Sequence, residues 1–326
     1  MSALTFSELR SWMFRHYTSG EYEQALNIVT RHADEFPERA ARIALWRVCL
    51  TSRLNDTPAA LRLLGEALAA GHWWAEDWLR LDEDLKPLQG LPEFEQAVEV
   101  CRRRQVEAQA HAAPELVTYM PESGRWPYPT LIALHARADN ARDAAEHWRA
   151  AVSQGWLLGL PQSSQILDPN AYSWDDVVKA EREISTQFGK LCEQHPVDRA
   201  RVIVSGSSQG TALAIGLTVS GLIRSRGFIA VAPSLRWVGN LAPMLGAAQL
   251  SGLRGYVVSG EQDPRHAEAE ELVDLLKAHG IACELESQPD LGHDFPIEFG
   301  RSLTNALAYV LRGPAITAPS TQRRAF

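Results

Sequence analysis

The sequence holds four cysteines in 326 residues, at positions 49, 101, 192 and 283, and no two form a C-x-x-C pair. That scatter excludes a disulfide frame and a cysteine zinc site. It fits free thiols in a reducing compartment, so a cytoplasmic setting is expected. No apolar run is long enough to span a bilayer, so no membrane association is expected. Residues 1–16 carry Glu8, Arg10 and Arg15 among their apolar positions and have no signal-peptide core. Long runs of like charge are missing too. The net charge of -8 is spread along the chain and argues against nucleic acid as a partner. Beyond residue 110 there is no H-x-x-x-H or H-E-x-x-H pair, and no glycine-rich dinucleotide or phosphate loop follows the first strand. No metal and no organic cofactor are therefore expected. What remains is 45 % hydrophobic, enough for a sizeable core, in a length that suits one large and one small domain.

Residues 1–110 read as entirely helical. Phe6, Leu9, Met13 and Phe14 have helical spacing until Thr18-Ser19-Gly20 breaks it. A helix over 22–36 places Ala25, Leu26, Ile28 and Val29 inward and stops before Pro37. Two more are predicted over 39–53 and 58–70. Tyr22-Glu23-Gln24-Ala25-Leu26 aligns with Thr57-Pro58-Ala59-Ala60-Leu61. The offset is close to the ~34 residues of repeating helical hairpins. On those residues the stretch resembles the tetratricopeptide repeats. Leu85-Lys86-Pro87-Leu88 and Leu91-Pro92-Glu93-Phe94 resemble the degenerate last unit of such proteins. The resemblance implies a face for a protein partner or for self-association. The alternative is a helical cap over one side of a catalytic domain, and the sequence leaves both open. Trp73, Trp74 and Trp78 are expected to pack and not to form a ligand cage.

The polar, alanine-rich segment 106–113 is the expected junction, giving a helical domain over 1–110 and a second domain over 111–326. Beyond it strands alternate with helices, which implies an α/β domain with a mostly parallel sheet. Strands are predicted at 116–120, 130–134, 156–160, 201–204, 228–232, 255–259 and 282–286. Helices are predicted at 141–152, 175–193, 211–219, 266–279 and 298–311. A polar loop follows residue 160, and the tail from 313 is expected to be loose.

The apolar strand 201–204 breaks into Ser205-Gly206-Ser207-Ser208-Gln209-Gly210 and then a helix. The pattern Gly206-x-Ser208-x-Gly210 is that of a nucleophile elbow. There the turn is so sharp that side chains two residues either side of the serine would collide. Asp263 follows a later strand, in Gly260-Glu261-Gln262-Asp263-Pro264. His293 follows the last strand, in Pro289-Asp290-Leu291-Gly292-His293-Asp294. Loops at the carboxyl ends of parallel strands share one rim, so the three side chains can converge. Asp263 competes with Glu261 and Asp290 for the acid position, and a helix N-cap is its duller use.

On this order of serine, acid and histidine, the chain from about 114 to 312 resembles the α/β-hydrolase superfamily, its phospholipase/carboxylesterase-like branch in particular. The resemblance implies a serine esterase with Ser208 as nucleophile, His293 as general base and Asp263 as orienting acid. It also implies an oxyanion hole made by backbone N–H groups of Gln209 and of Arg137, in Leu134-His135-Ala136-Arg137-Ala138. Relatives carry glycine where this chain has Ala136 and Ala138. His135 is expected to be a structural turn residue and the Arg137 side chain to face solvent. Trp174 is the candidate substrate-binding aromatic, and 233–247, with Trp237, Leu241 and Met244, a partial lid; either is equally readable as core. The expected substrate is a small ester of short to medium acyl chain. A peptidase or thioesterase of the same fold stays open, as does a repeat-based binding protein with an idle hydrolase domain.

Overall fold

The computed structural model describes residues 4–122, 124, 126–235, 241–247 and 250–312. Arg236, Trp237, Gly239 and Asn240 of the expected lid, and the tail from 313, lie outside the described residues. The chain divides into two compact units, Met1–Ala112 with Gln165–Tyr172, and Ala113–Ser164 with Ser173–Phe326.

The first unit holds helices α1 (Phe6–Thr18), α2 (Tyr22–Arg31), α3 (Ala40–Arg53), α4 (Thr57–Ala69), α5 (Glu76–Leu81) and α6 (Pro92–His111). Local chemistry starts them. Thr5 and Glu8 form a reciprocal capping box on α1, and Asp56 accepts the Ala59 N–H at the start of α4. Helix α2 ends earlier than expected. Residues Ala33–Glu35 and Pro37–Arg39 wind instead as 3-10 turns, because Pro37 has no N–H to continue an α-helix. The alanine-rich segment expected to be a junction is mostly the last turns of α6; alanine favours helix over linker. Trp73 and Trp74 are buried, with the Trp74 indole N–H donating to Ala41 O at 3.1 Å, and Trp78 lies under the Arg42 guanidinium.

The expected polar loop after residue 160 is a hairpin, β4 (Gln165–Asp168) and β5 (Ala171–Ser173). Its residues up to Tyr172 go with the helices and not with the rest of 111–326. Ile166 is buried against the same cluster as Trp73 and Phe94, and Leu167 O accepts the Ala75 N–H at 2.6 Å. Arg42 stands 3.8 Å from the buried Asp168 carboxylate.

The second unit has the expected α/β-hydrolase fold. Its strands are β1 (Glu115–Tyr119), β2 (Tyr128–Leu134), β3 (Leu157–Gln162), β6 (Val197–Ser207), β7 (Gly227–Val231), β8 (Arg254–Gly260) and β9 (Ala282–Gln288). They form one sheet in the order β1-β3-β2-β6-β7-β8-β9, with β1 antiparallel to β3 and the remaining pairs parallel. Helices α7 (Ala141–Trp148), α8 (Val177–Gln194), α9 (Gln209–Val219), α10 (Leu241–Ala247), α11 (His266–Ala278) and α12 (Phe299–Leu311) complete it. Side chains alternate across the sheet. Ile203, Ile229, Val231 and Val258 join the cluster of Trp148 and Phe299, while Val202, Val204, Phe228 and Val257 face the opposite side. Both faces are covered, which is why these strands read as continuous apolar runs.

Candidate active site

Strand β6 ends at Ser207 and α9 begins at Gln209, so one residue, Ser208, makes the whole turn. Its backbone lies at φ 47 and ψ -116, a region an L-residue enters only under constraint. The flanking glycines supply that constraint. A Cβ on Gly206 would lie 2.4 Å from the carbonyl of Gly210, and one on Gly210 would lie 2.7 Å from the carbonyl oxygens of Leu134 and His135. Helix α9 is thus packed against the ends of β2 and β6 at a distance only glycine permits. The Ser208 N–H donates to Val231 O at 3.0 Å, fixing the turn from the neighbouring strand.

The acid and histidine loops are joined in a similar way. Gly260 closes β8 so tightly on the following loop that a Cβ there would overlap Leu291 O. Two backbone bonds cross between the loops, Glu261 N–H to Gln288 O and Gln262 N–H to Leu291 O, both 2.9 Å. Below the histidine loop Phe295 stacks on His147 at 3.9 Å and meets Trp148 and Phe299 edge-on. Sequence reasoning missed this aromatic seat, whose members come from two stretches far apart in the chain.

The three predicted triad residues meet. His293 Nε2 lies 2.9 Å from Ser208 Oγ, and His293 Nδ1 lies 2.7 Å from Asp263 Oδ2. Carboxylate at one ring nitrogen favours the tautomer with hydrogen on Nδ1, which leaves Nε2 as acceptor for the serine hydroxyl. Burial pushes the Asp263 carboxyl up. The hydrogen bonds from His293 and the Arg265 N–H, with the charges of both residues, outweigh it and hold the group below the usual carboxylate range. The Asp263 side chain is 1 % exposed and that of His293 30 %, so the acid is sealed while the base can be reached. Of the three candidate acids, Glu261, Asp263 and Asp290, it is Asp263 whose carboxylate meets His293 Nδ1.

Gln209 is the first residue of α9, where an N–H has no partner inside the helix. Arg137 lies in the turn after β2, and there Ala138 takes φ 63, the conformation that glycine would adopt without strain. Ala138 therefore carries strain that glycine would avoid, while the alanine at 136 needs no left-handed backbone. The Arg137 side chain does not simply face solvent: Nε and Nη2 each lie 3.4 Å from the Asp175 carboxylate.

His135 is buried, and burial lowers its pKa to about 4, so the ring is neutral. Nδ1 points to Ala136 O at 2.8 Å and Nε2 accepts the Ser163 N–H at 3.4 Å, a structural role. Trp174 stacks on this ring at 4.4 Å and donates its indole N–H to His135 O at 2.9 Å. With no exposed surface, Trp174 has no face to offer a substrate. The substrate-binding reading of Trp174 is corrected to one of support beneath the turn that carries Arg137.

Among the described residues Cys49, Asp82 and Asp84 of the helical unit stand close enough to share an ion. Their polar atoms are already matched to one another and to their neighbours. Cys49 Sγ lies 3.7 Å from Asp82, and Asp84 accepts the Tyr17 hydroxyl at 2.8 Å and pairs with Arg53 at 3.4 Å. Burial raises the Cys49 thiol well above its ordinary range, keeping it protonated.

A family described as the N-terminal domain of A/B hydrolase-like proteins matches residues 5–109. A putative hydrolase of Bacillus subtilis, MhqD, is 26 % identical over 174 residues, covering 50 % of this chain and 84 % of the relative. The crystal structure of an uncharacterized Bacillus cereus protein is 29 % identical, covers 94 % of this chain and 99 % of its own, and superposes with a TM-score of 0.53. Esterase PE8, 17 % identical, shares the fold at a TM-score of 0.51 over 61 % of this chain and 99 % of its own. Among the described residues no helix is long and apolar enough to cross a membrane.

Proposed function

We propose that the chain is a serine hydrolase that cleaves carboxylic esters of short to medium acyl chain through an acyl-enzyme on Ser208. One observation carries this reading: the continuous line of bonds from Ser208 Oγ through His293 to the sealed Asp263 carboxylate, at 2.9 and 2.7 Å. A serine hydroxyl is un-ionised at neutral pH and needs a base to take its proton during attack. In the proposed sequence Ser208 Oγ bonds to the ester carbonyl carbon while its proton passes to His293 Nε2. The Asp263 charge stabilises the imidazolium that forms. The carbonyl oxygen becomes an oxyanion that accepts from the Gln209 and Arg137 N–H groups. Collapse breaks the bond to the alcohol, which leaves with the proton from His293. Water then gives a proton to the same nitrogen and bonds to the acyl carbon; collapse breaks the bond to Ser208 Oγ, which takes that proton back from His293, and the carboxylic acid leaves.

The fold of an esterase such as PE8 and the relationship to a putative hydrolase favour the same chemistry. The preference for short chains rests on the brevity of the expected lid, 233–247. A cytoplasmic site of action is part of the proposal, on the strength of four free thiols, three of them buried. The test is turnover of p-nitrophenyl acetate, butyrate and longer esters by wild-type and Ser208→Ala proteins. The substitution is expected to lower kcat by about four to six orders of magnitude. Equal rates for the two would remove Ser208 as nucleophile. A preference for long chains would leave the mechanism and sink the small acyl site.

A further inference from the structure

The two proposed oxyanion donors stand on separate elements, one at the head of α9 and one in the turn after β2, and nothing covalent fixes their spacing. The side chains of the same two residues converge on a third. The Gln209 carboxamide is used at both ends: Oε1 accepts the Trp174 N–H at 3.0 Å, and Nε2 donates to Asp175 Oδ1 at 2.8 Å. The Asp175 carboxylate also faces the Arg137 guanidinium, with both oxygens at 3.4 Å from its nitrogens. Gln209 is 1 % exposed, so breaking its bonds would leave a buried amide unsatisfied. The Arg137 turn gains from an outside hold, because Ala138 keeps a left-handed φ that strains an L-residue with a Cβ. Trp174 supplies one, through its indole bond to His135 O, and the residue after Trp174 supplies the other.

We propose that Asp175 is a positioning residue of the oxyanion hole, whose carboxylate brackets Gln209 and Arg137 by their side chains and so sets the separation of their backbone N–H groups. The proposal rests on the serine hydrolase reading. A bracket of this kind acts on the transition state and not on the bound ester, since the oxyanion forms only during attack. Its loss should therefore appear in kcat and leave KM nearly unchanged. It should also weaken a trifluoromethyl ketone, which forms a tetrahedral oxyanion adduct, by the factor lost in kcat/KM.

The experiment compares wild type, Asp175→Asn, Asp175→Ala and Gln209→Leu on p-nitrophenyl butyrate, with ketone inhibition constants and melting temperatures alongside. Removing a whole donor costs about 10²–10³ in kcat. Displacing two partly should cost about tenfold to a hundredfold in Asp175→Ala, with KM within about twofold. Gln209→Leu, which opens the bracket from its other end, should match it. Asp175→Asn keeps an acceptor for Gln209 and should recover most of the rate. Wild-type kcat and ketone affinity in Asp175→Ala, with Ser208→Ala inactive, would overturn the bracket and leave the hydrolase standing. A fall in Tm with kcat and KM moving together would reduce Asp175 to a structural residue. Turnover that survives Ser208→Ala would remove the oxyanion hole itself, and the bracket with the hydrolase reading.

Discussion

At the scale of single residues, the site depends on backbone that only certain side chains allow. Gly206 and Gly210 are required by contact, since each Cβ would press on main-chain atoms that cannot move aside. Gly206→Ala and Gly210→Ala should each destabilise the fold by about 3 kcal/mol or more, or prevent folding, which denaturant unfolding would measure. Asp263→Asn should keep the fold and lower kcat by about three to four orders of magnitude, because the amide supports the wrong imidazole tautomer. His135 carries a pH prediction. Its folded pKa of about 4 lies below the ordinary 6.5. Between those values the unfolded chain binds a proton that the folded chain refuses, so stability falls as pH drops through this window. The loss across that window is about 3 kcal/mol. Urea unfolding at pH 7 and pH 4 should show this loss, and His135→Gln should make the dependence shallower. An unchanged slope in that variant would show that the buried ring does not govern it.

At the scale of elements, what was legible in the sequence was whatever a short window contains. Gly206-x-Ser208-x-Gly210 declares its turn because sterics act within five residues, and apolar runs declare strands covered on both faces. The order of Ser208, Asp263 and His293 placed them on one rim because parallel strands end on one side. Hairpin β4–β5 was not legible. Gln165, Asp168 and Asn170 look like loop chemistry, and the segment is a hairpin by virtue of contacts such as Ala75 to Leu167. Trp174 read as a pocket aromatic by resemblance, from its place just before the helix of 175–193; no local pattern shows its stacking on His135, distant in the chain. The bracket of Gln209, Asp175 and Arg137 is tertiary throughout, and no local pattern marks it.

At the scale of the whole molecule, the hairpin changes what a domain boundary means. A fragment of residues 113–326 includes segment 165–172, whose Ile166 and Leu167 are buried in the helical unit's company. Expressed alone it would expose these side chains and leave the Asp168 carboxylate without Arg42. It should be less soluble and melt lower than the full chain, and thermal unfolding of the two side by side measures the difference. A fragment with equal solubility, Tm and activity would contradict this. The central claim concerns one atom, Ser208 Oγ, and the most direct measurement is covalent. The full-length protein is treated with a fluorophosphonate, digested, and mapped by mass spectrometry. The account predicts one adduct, on the peptide carrying Ser208, and none in Ser208→Ala or after denaturation. Absence of labelling in the folded wild type, or labelling of another residue that persists in Ser208→Ala, would contradict it.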